Sequence, residues 1–111
     1  MPQFLYRIEP TRLAMLTDGP TPREAALVGE HFQYLQRLLA QGVVLMAGRT
    51  LAANARAFGI VVFVAASEAD AAQVMRSDPA VAQGIMRAEL FPYRIALWAP
   101  GGPPTSDDGD A

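Results

Sequence analysis

Hydrophobic residues recur at two different spacings along the chain, and the spacing predicts the kind of element at each place. Near the start, Phe4, Tyr6 and Ile8 share one side of an extended segment while the residues between them share the other, which is typical of a β-strand. Pro10 interrupts this strand, because proline has no N–H to donate to a strand ladder. The apolar pattern over residues 13–16 indicates that the strand then resumes.

A long helix is predicted after the turn at residues 18–20. Thr21 and Glu24 have the spacing of a capping box, and Pro22 stands at the first helical position, where its missing N–H costs nothing. Gly42 suits the position that follows a helix end, so the helix is expected to reach it.

Two later segments are apolar at every position rather than at alternate ones. Residues 43–47 and 58–66 have this pattern, which predicts strands buried on both faces, with a loop over residues 48–57 between them. A last strand is predicted over residues 86–98. Its apolar parity shifts around a proline near residues 91–93, which indicates a bulge or an edge there.

The second helix is predicted to begin after Ser67, whose hydroxyl can cap it, and to extend through Met75. Asp78 followed by Pro79 ends this helix, because the residue before a proline avoids the helical conformation. The same pair is a good start for a short helical turn over residues 79–83.

The predicted order of elements is β, α, β, β, α, β, which is the order of the ferredoxin-like α+β fold with an antiparallel sheet. Two helices can cover only one face of a four-stranded sheet. The other apolar face is therefore expected to pack against the sheet of a second copy, which gives a homodimer. The domain is predicted over residues 1–98, and the Pro-, Gly- and Asp-rich residues 99–111 are predicted to form a disordered acidic tail.

Charge and composition exclude several classes of function. The tail holds three of the eleven acidic residues, so residues 1–98 carry nine arginines against eight acids, and this near-neutral balance argues against binding to nucleic acid. The absence of cysteine excludes disulfides, thiol nucleophiles and Cys-type zinc sites, and with one histidine a metal site would have to be mostly carboxylate. We therefore expect no metal and no cofactor.

No segment predicts an export signal or a membrane anchor. The chain passes directly from Met1-Pro2-Gln3 into strand-like alternation, without a basic region followed by an apolar one. The longest apolar run, residues 59–66, is far shorter than the about 20 residues that cross a bilayer. A soluble, cytoplasmic protein without membrane association is expected.

His31, the only histidine, lies on the apolar side of the predicted long helix. On a helical wheel it falls within about 40° of Leu35, inside the stripe that also contains Phe32 and Leu39. An imidazole exchanges protons near neutral pH, so an inward-facing histidine is a candidate acid or base. A histidine at such a position is more often a core residue bonded to a carbonyl, and the helix pattern leaves both interpretations open.

Several segments occur in a set order and spacing: Glu30-His31-Phe32-Gln33-Tyr34-Leu35 ending at Gln41-Gly42, then Met46-Ala47-Gly48, then Ser67 to Met75 followed by Asp78-Pro79-Ala80-Val81 and Gly84. Together they resemble the YCII-related (YciI-like) domain family, and the resemblance covers nearly all of residues 3–98. It implies a dimeric ferredoxin-like α+β barrel. It also implies an active site made of the helix-one histidine and the aspartate of the Asp-Pro pair, which are His31 and Asp78 here.

Asp78 has two interpretations that can hold together. As a helix cap followed by proline it contributes about 1 kcal/mol to stability. As the partner of His31, its carboxylate would fix the imidazole tautomer, orient the ring and stabilise the imidazolium that forms when the other nitrogen takes a proton.

Three further residues are candidates for substrate binding. After Ala47-Gly48, where the family often has proline, this chain has Arg49, a candidate anion clamp, although an arginine at a strand end is usually a solvated charge. Tyr6 is a candidate donor lining the same cavity, and Arg12 is a second candidate anion contact. All cations of the chain are arginines, whose planar fork suits carboxylates, so a small anionic ligand fits the composition.

Two classes of function remain. In the first, the protein is a cofactor-free enzyme in which His31 moves a proton on a small cyclic or aromatic acid, in isomerisation, lactone chemistry or elimination. In the second, it is a non-catalytic dimer that binds a small ligand or accompanies a larger system. A pocket beside His31, with Asp78 within hydrogen-bond reach, favours the first class, and an imidazole fully packed among leucines favours the second.

Overall fold

The computed structural model of the protein describes residues 1–101. Within them the elements follow in the order β1 (Gln3–Pro10), α1 (Ala14–Thr17), α2 (Pro22–Ala40), β2 (Val44–Arg49), β3 (Gly59–Val64), α3 (Glu68–Arg76), α4 (Pro79–Ala82) and β4 (Met86–Tyr93). Most of the predicted acidic tail lies outside the described residues. No helix in the described part of the chain has the length and apolar character needed to span a membrane.

The four strands form one antiparallel sheet in the order β2-β3-β1-β4. Strands β1 and β3 are central, and β2 and β4 form the two edges. The long helices α2 and α3 each follow a strand and return the chain for the next one, so the molecule has the predicted ferredoxin-like α+β fold. The short helices α1 and α4 are additions to this plan.

The core lies between the helices and one face of the sheet. Phe4, Tyr6 and Ile8 of β1 all point to this face and are buried, as their alternation predicts. They pack with Phe63 of β3, whose ring meets that of Tyr6 edge-on at 5.7 Å between centroids, and with Leu35 of α2. This packing holds α2 against the sheet through Leu35.

Both long helices begin at side-chain caps. The Thr21 hydroxyl accepts the N–H of Glu24, and the Glu24 carboxylate accepts the N–H of Thr21, so the predicted capping box is present. At the start of α3 the Ser67 hydroxyl accepts the N–H of Asp70. Gly42 follows the end of α2 with φ of 76°, a left-handed conformation that favours glycine.

The first strand does not resume after Pro10, so the prediction for residues 13–16 is wrong. Ala14–Thr17 form the one-turn helix α1 instead. The reason is tertiary, because Met15 packs into a small separate cluster with Leu27 of α2 and Ile85, and a helical turn is what points it there.

The last strand is shorter than predicted. β4 pairs with β1 and ends at Tyr93, which lies opposite Gln3, the first residue of β1. Pro2, which precedes Gln3, has no N–H and its carbonyl accepts the N–H of Ala65, so strand pairing stops before residue 98. Its register is unbroken through residues 91–93, and Pro92 is accommodated because β4 is an edge strand. The irregularity of the sheet lies instead in β2, between Val44 and Met46.

Candidate active site

Two side chains from distant parts of the sequence meet on the side of the sheet that the helices cover. His31 lies in the middle of α2, and Asp78 immediately precedes α4. The Nδ1 atom of His31 is 2.7 Å from Oδ2 of Asp78 and 2.9 Å from Oδ1. The two residues that the sequence singles out are therefore in direct hydrogen-bond contact.

The Asp78 carboxylate is completely buried, and both of its oxygens accept hydrogen bonds. Oδ1 accepts the N–H of Ala80 at 3.0 Å, which is the cap bond that starts α4. Oδ2 accepts the phenol O–H of Tyr6 at 2.7 Å. Asp78 thus caps a helix and contacts His31 at the same time, so its role as a cap leaves the carboxylate free to face the imidazole.

Tyr6 of β1 donates a hydrogen bond to the Asp78 carboxylate from within the core. Its side chain is fully buried, and burial, together with the negative charge of Asp78, raises the pKa of its phenol far above the ordinary value. The phenol is therefore protonated at neutral pH and donates to the carboxylate. Its 2.7 Å bond fixes the position of Oδ2, the oxygen that also faces His31.

The contacts of Asp78 determine the orientation of the imidazole. A carboxylate accepts hydrogen bonds, so the proton of a neutral His31 belongs on Nδ1. Nε2 has no hydrogen-bond partner among the described residues, and yet none of their buried side-chain nitrogen or oxygen atoms lacks one. Nε2 is consequently in contact with solvent, and as an unprotonated nitrogen it is the basic end of the ring.

His31 lines a cleft of about 920 Å³ between α2 and the helix-covered face of the sheet. The walls are mostly apolar, with Ile8 from β1 on one side and Leu35 from α2 on the other. Phe32 and Leu39 also line the cleft and are largely exposed, so the predicted buried stripe on this side of the helix is wrong for these two residues. Their apolar side chains border the cleft instead of filling the core.

Arg49 lies at the end of β2 and also lines the cleft, so the structure brings it to the same cavity as His31. Glu9 is the other charged residue in the described lining, and its carboxylate bonds to Arg87 at 2.9 Å. The Arg87 guanidinium holds the pKa of Glu9 below its ordinary value, so Glu9 is ionised and paired.

Tyr6 and Arg12 do not line the cleft, in contrast to the prediction. Tyr6 is a donor, as expected, but it lies behind Asp78, because its position on β1 directs the ring into the core. Arg12 forms an ion pair with Glu24 at the start of α2, with 2.9 Å between Nε and Oε2. This pairing joins the segment between β1 and α1 to the start of α2, 12 residues further along the chain, so no short local pattern predicts it.

The arrangement can take up and release one proton beside an apolar cavity. Nε2 of His31 is the acceptor, Asp78 compensates the positive charge that the ring then carries, and Tyr6 keeps the carboxylate in place. Among the residues that the structure describes, no group of three or more His, Asp or Glu side chains has the arrangement of a metal site.

Comparisons with known proteins place this geometry in context. One similar solved structure is that of 5-chloro-2-hydroxyhydroquinone dehydrochlorinase from Burkholderia phenoliruptrix in complex with 2,5-dihydroxybenzoquinone. The TM-score is 0.63 at 18% sequence identity, and the match covers 83% of this chain and 93% of that one. At this identity the similarity establishes the fold. A search of curated protein sequences finds no match.

The sequence itself establishes the family. The model of the YCII-related domain matches residues 6–94, which run from the middle of β1 to just beyond the end of β4 and include both His31 and Asp78. The matched region is far more than half of the chain and coincides with the fold described above. The chain belongs to the YCII-related domain family.

Proposed function

We propose that the protein is a cofactor-free enzyme in which His31 transfers a proton on a small cyclic or aromatic acid, in an isomerisation, a lactone reaction or an elimination. The observation that carries the proposal is the 2.7 Å contact between Nδ1 of His31 and the buried Asp78 carboxylate, at the wall of the cleft. An imidazole packed only among leucines would favour a non-catalytic ligand-binding dimer, and His31 is not in that environment.

In the proposed reaction, Nε2 of the neutral imidazole accepts a proton from the substrate while Nδ1 keeps its own. The electron pair of the broken bond remains on the substrate, where it moves into a new double bond or expels a leaving group. Asp78 stabilises the imidazolium formed in this step. His31 then returns the proton to a different substrate atom in an isomerisation, or releases it to water after an elimination.

Two comparisons support this proposal. The YCII-related family matches the whole region that carries His31, Asp78 and the cleft. The similar solved structure is an enzyme whose name describes the removal of hydrogen chloride from a small aromatic compound, which is an elimination. The apolar lining of the cleft suits a ring of that kind.

The test is a thermal-shift screen of small cyclic and aromatic acids, with the wild type and His31→Ala measured side by side. Compounds that stabilise the wild type are then followed by proton NMR in D₂O, which detects exchange, isomerisation and elimination alike. We expect His31→Ala to slow the reaction by roughly a hundredfold or more, because that is the usual contribution of a positioned acid or base.

Gln33→Ala is the matched control, since Gln33 is exposed on the same helix two residues away. This variant should react at the wild-type rate. Compounds that bind the wild type but are never converted, or that are converted equally by His31→Ala, would contradict the proposal. In the first case the protein would be a non-catalytic binding dimer, and in the second case His31 would not be the group that transfers the proton.

A further inference from the structure

We propose that Arg49 determines the substrate class of the cleft, by binding the carboxylate of a single-ring acid whose opposite end faces His31. This inference rests on the proposed function for the role of His31. Beyond that function, the inference names the chemical group that the cleft recognises, a carboxylate, and the orientation of the ligand in the cleft.

Arg49 is available to bind a ligand. It is exposed, and none of the ion pairs within residues 1–101 includes it. By contrast, Arg12 is paired with Glu24, Arg87 is paired with Glu9, and the Arg7 guanidinium lies 4.7 Å from the centre of the Phe58 ring. A guanidinium that faces an apolar cleft without a protein carboxylate is suited to the carboxylate of a ligand.

The charges along the cleft give the ligand a direction. The negative charge of Glu9 is compensated by Arg87, so Arg49 carries the unpaired positive charge of the described lining, at the end of the cleft that β2 forms. At the other end, the Asp78 carboxylate lies 2.7 Å behind His31. A ligand carboxylate is repelled there while the imidazole is neutral, and it is attracted to the end that holds Arg49.

The sheet keeps the two ends apart. Arg49, Gly59 and Ile8 form one row across β2, β3 and β1, and neighbouring strands are about 4.8 Å apart, so the Cα atoms of Arg49 and Ile8 are separated by about 10 Å. His31 lies over β1, because it shares Oδ2 of Asp78 with Tyr6 of that strand. The strand that carries Arg49 and the strand under His31 are thus two positions apart in the sheet, and we infer that a single ring lies between the two side chains.

Hydrogen bonds hold the backbone next to Arg49 in place. The Thr50 N–H donates to the carbonyl of Phe58 at 2.9 Å, and the Thr50 hydroxyl accepts the Phe58 N–H at 3.1 Å. The end of β2 is therefore fixed against β3 where Arg49 leaves the sheet. The backbone of Arg49 therefore starts from a defined position, so only its side chain has to be ordered when it binds a carboxylate.

Binding of benzoate and of benzamide, its neutral analogue of the same shape, tests the inference by calorimetry. We expect the wild type to bind benzoate roughly tenfold more tightly than benzamide, because a hydrogen bond to a charged group is stronger than one to a neutral group. Arg49→Gln should bind the two compounds equally. Arg56→Gln is the matched control, since Arg56 is exposed in the adjoining loop and does not line the cleft, and it should keep the preference.

The inference fails if the wild type binds neither compound, if it binds both equally, or if Arg49→Gln keeps the preference for benzoate. Failure of the proposed function has a different result. His31→Ala should retain the preference for benzoate, because Arg49 is intact in it. If the wild type selects benzoate through Arg49 but converts no acid, the inference about Arg49 stands and the proposed function of His31 fails.

Discussion

Asp78 performs two tasks with one buried carboxylate. A charged group without solvent needs hydrogen bonds on its oxygens, and Asp78 receives them from Ala80, Tyr6 and His31. The cap bond fixes the carboxylate relative to α4, and the Tyr6 bond fixes it relative to β1. His31 is consequently held by a group that is itself attached to two elements of the fold.

Replacing Asp78 by asparagine should change the tautomer of His31. In the wild type the carboxylate favours the tautomer with its proton on Nδ1, which leaves Nε2 basic. An asparagine amide can donate to Nδ1 and thereby favour the opposite tautomer, in which Nε2 is protonated and cannot act as a base. Nitrogen NMR of the imidazole distinguishes the two forms, and the assignment is unambiguous because the chain has one histidine.

Asp70→Asn is the control, since Asp70 is an exposed carboxylate on α3. It should leave the imidazole spectrum unchanged, whereas Asp78→Asn should change the spectrum and abolish any proton transfer. Asp78→Ala also removes the cap and leaves the donors of Tyr6 and His31 unpaired, so it should destabilise the fold by about 2 kcal/mol or more in urea unfolding. If the imidazole spectra of the wild type and Asp78→Asn are identical, Asp78 does not influence His31 and acts only as a helix cap.

The sequence predicts part of this site and not the rest, for physical reasons. His31 stands out as the only histidine on an apolar helix side, and Asp78 through the Asp-Pro pair, because both features are local. The position of Tyr6 in the core follows from strand alternation. Its bond to Asp78 does not, because the two residues are 72 positions apart and meet only through the fold.

At the N-terminus of α2, Glu24 makes both a local contact within the helix end and a tertiary contact with another part of the chain. This residue completes the capping box with Thr21, and it also accepts from the guanidinium of Arg12. The bonds from Arg12, and then that from the Thr21 backbone, lower the pKa of Glu24 from 4.5 to about 2. Folding is therefore coupled to the ionisation of this carboxylate.

Glu24 should make the protein sensitive to acid. Its pKa is lower in the folded chain than in the unfolded one, so its contribution to stability is complete above about pH 4.5 and is lost as the pH falls towards 2. Glu24→Gln should be less stable than the wild type at neutral pH and should lose less stability over that range. Urea unfolding at a series of pH values measures both effects.

Glu30→Gln is the control for this experiment, because Glu30 is exposed on the same helix. It should follow the acid dependence of the wild type. If Glu24→Gln loses stability with acid as steeply as the wild type, the ion pair with Arg12 makes no net contribution.

At the level of elements, the sequence predicts those that are long and periodic and misses those that depend on neighbours. The capping box and Gly42 delimit α2 through local hydrogen bonds and backbone conformation, which any chain with these residues would share. By contrast, α1 forms because Met15 has a cluster to pack into, and β4 ends where β1 offers no further partner groups. Neither cause is visible in a short window of sequence.

In the molecule as a whole, the sheet has one face under the helices and one face without a helix. On this second, open face, one apolar row crosses all four strands: Met46, Val62, Leu5 and Phe91. Phe91 is 39% exposed, Met46 and Leu5 are half-buried, and Val62 between them is already buried in the single chain. A continuous apolar row on an antiparallel sheet is stabilised when it is removed from water, and a second sheet of the same kind is complementary to it.

We therefore expect a homodimer that forms through the open face, as the resemblance to the family also implies. Sedimentation equilibrium at micromolar concentration should show a dimer for the wild type and a monomer for Leu5→Asp, which places a charge in the centre of the row. Leu97→Asp is the matched control, because Leu97 is 92% exposed and lies beyond β4, and it should remain dimeric.

The cleft gives this prediction a second test, because it lies mainly under α2 on the other side of the sheet, and Met46 is the one residue of the apolar row that also lines it. Separating the protomers should leave His31, Asp78 and Arg49 together in each of them. We expect Leu5→Asp, if circular dichroism shows it folded, to bind benzoate as the wild type does. A wild type that sediments as a monomer would contradict the dimer. A folded monomeric variant that loses benzoate binding would show instead that the partner protomer completes the cleft.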